Sequence, residues 1–149
     1  MIKDFEFYHG VVIRELVAAI SPAGATISAD DIHGRLNAFN INGRIGLFIK
    51  HSSKRLGPWQ FTFDGDGCRE IEWLSQRHED VWIALVCGHD GFLCLTRSEF
   101  LTANRPECDA TAFIRVDRDK RSMYRVNGSS GAIGGAKPRG FGRLIDALK

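Results

Sequence analysis

A chain of 149 residues with 44% hydrophobic and 26% charged side chains has room for one domain with a core, and its balance excludes wholesale disorder. No apolar run approaches the ~20 residues of a membrane helix. The N-terminus, MIKDFEFYHG, carries acids where a signal peptide has a basic region and an apolar core, so a cytoplasmic location without a membrane partner is expected.

In chain order, DFEFYHGVVIRELVAAI (4–20) repeats apolar groups at helical spacing, with Phe5, Tyr8, Val12, Leu16 and Ala19 on one stripe flanked by Ile13, Val17 and Ile20. Asp4 is the expected cap, and Ser21-Pro22 stops the helix. So broad a stripe predicts tight packing on a sheet, and Gly10 inside it predicts a close backbone contact. After a short strand at 26–29, RLNAFNI and RIGLFIK flank Asn42-Gly43, a hairpin signal because both turn positions need positive φ. A two-residue loop pairs Ile41 with Arg44. It sets Leu36, Ala38, Ile45, Leu47 and Ile49 on the core face, and Arg35, Phe39, Phe48 and Lys50 on the other. PWQFTF predicts a third strand, then a helix over 67–78 capped by Asp66. DVWIALVC is a central strand buried on both faces, turned back into GFLCL by Gly88-His-Asp-Gly91. Thr96-Arg-Ser-Glu99 is a capping box opening a short helix. ATAFIRV and SMYRV form a last strand pair. The fold expected is a single α/β or α+β domain over 1–126, with a mixed sheet around the hairpin. Residues 127–149 are rich in glycine and serine and are expected to be a flexible basic tail, with RLIDALK able to form a short terminal helix.

Cysteines 68, 87, 94 and 108 lack the paired short spacings of a zinc site. Cys87-Gly88-His89 is the nearest to a ligand pair, yet Cys87 continues the apolar strand WIALVC and reads as a buried thiol. No metal or cofactor is expected, and in a reducing compartment the thiols stay free. No G-x-S-x-G, phosphate-loop or dinucleotide motif occurs, and the five histidines have no carboxylate partner evident from spacing.

The order helix, three strands, helix, strand over residues 4–87 resembles the core of the PD-(D/E)XK nuclease-like fold. That resemblance implies an acid on the second core strand and acid-x-lysine on the third, the acids holding a divalent metal and the lysine orienting the attacking water. Here the second strand, RIGLFIK, offers Lys50, and the third holds Gln60-Phe61-Thr62. Phe48-Ile49-Lys50 puts phenylalanine at the acid position. A divergent metal nuclease and a non-cleaving relative on that scaffold both remain open. FIKHSSKRLGPWQFTF, WIALVCGHDGFLCL and RDKRSMYRVNG are also similar in texture to small bacterial proteins of unknown function, which implies no activity.

Charge gives the functional lead. Residues 1–110 hold 11 Lys/Arg against 15 Asp/Glu, while 111–149 hold 9 against 3, an excess that suits an anionic partner. Arg35, Lys50, Lys54, Arg55, Arg118, Lys120, Arg121 and Arg125 are the candidate phosphate contacts, because basic side chains neutralise phosphates and release counterions. Trp59, Phe61, Phe63 and Tyr124 lie beside them and are read as core, with base stacking as the alternative. Lys137, Arg139 and Arg143 punctuate the tail around Phe141. The leading expectation is a non-catalytic protein that binds DNA or RNA. An acidic protein partner is the alternative, and ordinary solvated surface is the plain reading of the same cations.

Overall fold

The computed structural model describes residues 1–30, 37–104, 112–119 and 121–148. Its N-terminal helix, α1 (Asp4–Ile20), is opened by Glu6 accepting from the Lys3 backbone N–H at 2.7 Å, so Lys3 and not Asp4 stands at the cap position. The main sheet runs β1 (Ile27–Ala29), β2 (Ala38–Ile41), β3 (Ile45–Ser52), β5 (Asp80–Cys87) and β6 (Gly91–Thr96). All neighbours are antiparallel except β3 and β5. This is the mixed α+β sheet the sequence implies.

PWQFTF departs from expectation. As β4 (Trp59–Thr62) it leaves the main sheet and starts a second, β4-β7-β8-β9, with β7 (Phe113–Asp117), β8 (Arg125–Gly128) and β9 (Gly131–Ala132). Helix α2 (Gly65–Arg77) begins directly after β4, with Asp64 rather than Asp66 as its cap, accepting from the Gly67 N–H at 2.8 Å. Helix α3 (Arg97–Ala103) carries the Thr96/Glu99 capping box as expected.

The hairpin loop is one residue longer than Asn-Gly alone requires. Asn42 and Gly43 both have positive φ, at 57° and 72°, but Ile41 pairs with Ile45 and the loop includes Arg44. That single step moves β2's side chains to opposite faces, because alternation along a strand has period two. Ala38 therefore lies opposite Phe48 and joins the core under α2, α3 and the second sheet, while Phe39 lies opposite Leu47 on the α1 side. The main sheet is covered on both faces. Ile45, Leu47, Ile49, Trp82, Ala84, Val86 and Phe92 meet Val12 and Leu16 on one side. On the other, Ile83, Leu85, Leu93 and Leu95 meet Phe61, Phe63, Ile71 and Phe100.

Helix α1 is less embedded than its apolar content implies. Only His9, Val12, Leu16 and Ile20 are buried, and Phe7, Val11 and Val17 stay exposed. A methyl group at Gly10 would meet nothing within 4 Å, so the expected close backbone contact there is absent.

The segment expected to be a flexible tail packs onto the domain. Tyr124 bridges Lys137, Leu93 bridges Arg139, and α4 (Gly142–Leu148) follows. Phe141 and Leu144 enter the α1-side core, Phe141 against Phe92 with ring centroids 4.7 Å apart. Two apolar anchors in a glycine-rich stretch are few to notice in sequence, but they bury fully. Cys68 is disulfide-bonded, against the expectation of free thiols, whereas Cys87 and Cys94 are free and buried. Burial pushes both of those thiols upward in pKa.

Candidate nucleic-acid interface

Pairing of β4 with β7 brings the two basic stretches to one end of the second sheet. Trp59 lies opposite Val116 and Gln60 opposite Arg115, so the loop entering β4 (53–58) adjoins the turn leaving β7. Trp59, Phe61 and Phe63 point inward and are buried, as is Tyr124. The Trp59 indole N–H donates to the Lys54 carbonyl at 2.9 Å, and its ring meets Tyr124 edge-on with centroids 6.4 Å apart. The aromatic run is therefore the inner wall of the basic loop, not a stacking platform.

The cations then divide into two groups. Arg118 is 17% exposed and forks onto Asp90, with Nε 2.8 Å from Oδ2 and Nη2 3.0 Å from Oδ1. The guanidinium lies 4.6 Å from the centre of the Tyr124 ring, whose hydroxyl donates to Asp90 at 2.8 Å. Burial, then that hydrogen bond, raises the Tyr124 hydroxyl's pKa. Arg118 is thus spent on holding the β5–β6 turn against the second sheet. Arg125 pairs with Asp119 at 3.0 Å and Asp117 at 3.7 Å. Lys50 sits half-buried beneath the second sheet, its Nζ 5.1 Å from the centre of the Phe63 ring.

Lys54, Arg55 and Arg121 are exposed, and none has a carboxylate partner among the described residues. Lys54 Nζ donates to the Pro58 carbonyl, at 3.0 Å. Arg115, which charge clustering in the sequence does not single out, is exposed in mid-strand between Gln60 and Asn127 and also lacks a carboxylate partner among the described residues. The alternation Ile114-Arg115-Val116 was the available signal: an arginine between two inward β-branched residues must point out. Arg35 and Lys120 lie outside the described residues.

Lys137, Arg139 and Arg143 are each neutralised. Lys137 and Arg143 share Glu99, at 2.6 and 2.8 Å, and Arg139 pairs with Glu15 at 3.0 Å. Burial works to raise the Glu99 carboxyl, but hydrogen bonds from Lys137, the Thr96 backbone and Arg143 hold it below its ordinary value.

The nuclease-like resemblance falls differently on the folded chain. With β4 removed to the second sheet, the third strand of the main sheet in its spatial order is β3, so acid-x-lysine would fall on Phe48-Ile49-Lys50, and Phe48 is buried. Asp64 is occupied in capping α2 and Asp66 pairs with Arg69. Among the described residues no three His, Cys, Asp or Glu side chains come together as a metal site.

No family model matches the sequence, and no curated protein matches it. Among solved structures the chain is similar to Hjc of Archaeoglobus fulgidus, a Holliday junction resolvase from an archaeal hyperthermophile. The match has 16% identity and a TM-score of 0.43, over 73% of this chain and 88% of that one. No helix among the described residues is long and apolar enough to cross a membrane.

Proposed function

We propose that the protein is a non-catalytic nucleic-acid-associated protein that holds phosphate backbone with Lys54, Arg55, Arg115 and Arg121. The observation that supports this most is the convergence of the loop entering β4 and the turn leaving β7 at one end of the second sheet, with no carboxylate partner for those four cations among the described residues. An unpaired exposed guanidinium or ammonium keeps its full attraction for a phosphate, and counterion release adds to it. Arg118 and Arg125 are placed outside the contact set, since their charge is already met by Asp90, Asp117 and Asp119. The polar row Gln60, Arg115 and Asn127 gives the sheet face hydrogen-bonding groups for sugar and phosphate oxygens.

The test is fluorescence anisotropy with labelled oligonucleotides across a salt series. Binding should weaken steeply with salt. The double reversal Lys54→Glu, Arg55→Glu should reduce affinity by roughly 100-fold without lowering the melting temperature. Unchanged affinity in that variant would refute the reading, and tight, salt-insensitive capture of an acidic protein would move the surface to a protein partner.

A further inference from the structure

Between α1 and the carboxyl end of β5, where the chain turns into β6, lies a cavity of about 430 Å³. Ligands in open α/β sheets gather at such strand ends, and roughly 300–1,000 Å³ is the usual size for a small organic group. Its walls include Phe7, Tyr8, Val11, Val86 and Phe92, with Asp4, His89 and Arg139 among the polar lining groups. Tyr8 is held flat by stacking on His51, centroids 4.7 Å apart with an interplanar angle of 13°. Burial first, then the Lys50 charge, lower the His51 pKa, which favours the neutral ring under Tyr8. Phe7 and Val11 are 59% and 50% exposed, which leaves apolar surface facing the cavity without cover.

The cavity shares the β5–β6 turn with the loop that carries Lys54 and Arg55. Gly88 belongs to its lining, and a methyl group there would lie 2.3 Å from the Lys54 carbonyl oxygen. Gly88 has φ of 54°, so the β5–β6 turn needs glycine both for its backbone and for this approach. The same turn therefore carries the cavity on one side and the basic loop on the other.

We infer that this cavity receives an unpaired nucleobase of a single strand whose neighbouring phosphates lie on Lys54 and Arg55, an inference that rests on the reading above. Aromatic walls give any base a face to stack on, which is sequence-tolerant, and the rim carboxylate, imidazole and guanidinium offer acceptors and donors to its edge. A base held in a duplex cannot enter, so the protein discriminates between strands by pairing state. DNA and RNA share this chemistry.

The experiment compares fluorescein-labelled oligo-dT, oligo-rU and a matched duplex by anisotropy, using the full chain, Phe7→Ala, Val11→Glu and the Lys54/Arg55 reversal. Phe7 and Val11 are exposed, so both variants keep the core intact. Single strands of at least one sugar type should bind roughly ten-fold more tightly than the duplex, and Phe7→Ala and Val11→Glu should each remove that preference while duplex affinity stays within about two-fold. Loss of binding in the Lys54/Arg55 reversal alone, with both cavity variants at wild-type single-strand affinity, overturns the cavity assignment and leaves the phosphate reading standing. No binding of any oligonucleotide overturns both.

Discussion

Two regions of this molecule look alike in sequence and differ once folded. The 50–58 stretch and the 137–143 stretch each place three cations near an aromatic. In the first, Lys54 and Arg55 are exposed and pair with no carboxylate among the described residues, while Trp59 turns inward beneath. In the second, every cation meets an acid: Lys137 and Arg143 on Glu99, and Arg139 on Glu15, with Phe141 buried among them. Positive charge along a chain thus says little about positive charge on a surface. What decides it is where acids distant in sequence arrive.

The sharpest way to break this contrast is to remove a cation said to be structural. Arg118→Ala should cost about 3 kcal/mol, because Asp90 and the Tyr124 hydroxyl lose the guanidinium that compensates their burial; urea unfolding checks it, and a loss below about 0.5 kcal/mol would return Arg118 to the list of surface contacts. Glu99→Ala should cost about 2 kcal/mol and free the C-terminal segment, seen as faster amide exchange in α4 than in β5.

Acid should do the same more gently. The folded Glu99 carboxyl titrates below its ordinary 4.5, so its contribution is complete above that value and is lost as pH falls through the depressed folded value. Protection of α4 should fall over that window, and Glu99→Gln should flatten the profile. The smallest effect concerns the exposed helix: Gly10→Ala should raise stability by about 0.5–1 kcal/mol, since the helix gains a better former and nothing stands where the methyl goes. A loss there would mean the outward face of α1 is covered.

Most elements were legible in sequence because their signals are local. The Asn42-Gly43 turn, the Thr96/Glu99 capping box and the doubly buried β5 each announce themselves within a dozen residues. Three features were not. The departure of β4 into a second sheet depends on β7, more than fifty residues later. The hairpin register turned on one extra loop residue, Arg44, which Asn-Gly chemistry does not specify. The packing of 127–148 rests on Phe141, Leu144 and distant carboxylates, against a composition that reads as linker. On the candidate surface, Lys54, Arg55 and Arg121 are legible from charge and Arg115 only from the alternation of its strand, while the pairing of Arg118 and Arg125 with Asp90, Asp117 and Asp119 depends on the fold.

The contrast between free and compensated charge is most directly tested by the salt slope of oligonucleotide affinity. Replacing Lys54, Arg55, Arg115 or Arg121 by alanine should each shrink the slope of log K against log salt by about 0.9, whereas Lys137→Ala should leave it as in the wild type. Slopes that respond to Lys137 as much as to Arg55, or to neither, would contradict the division.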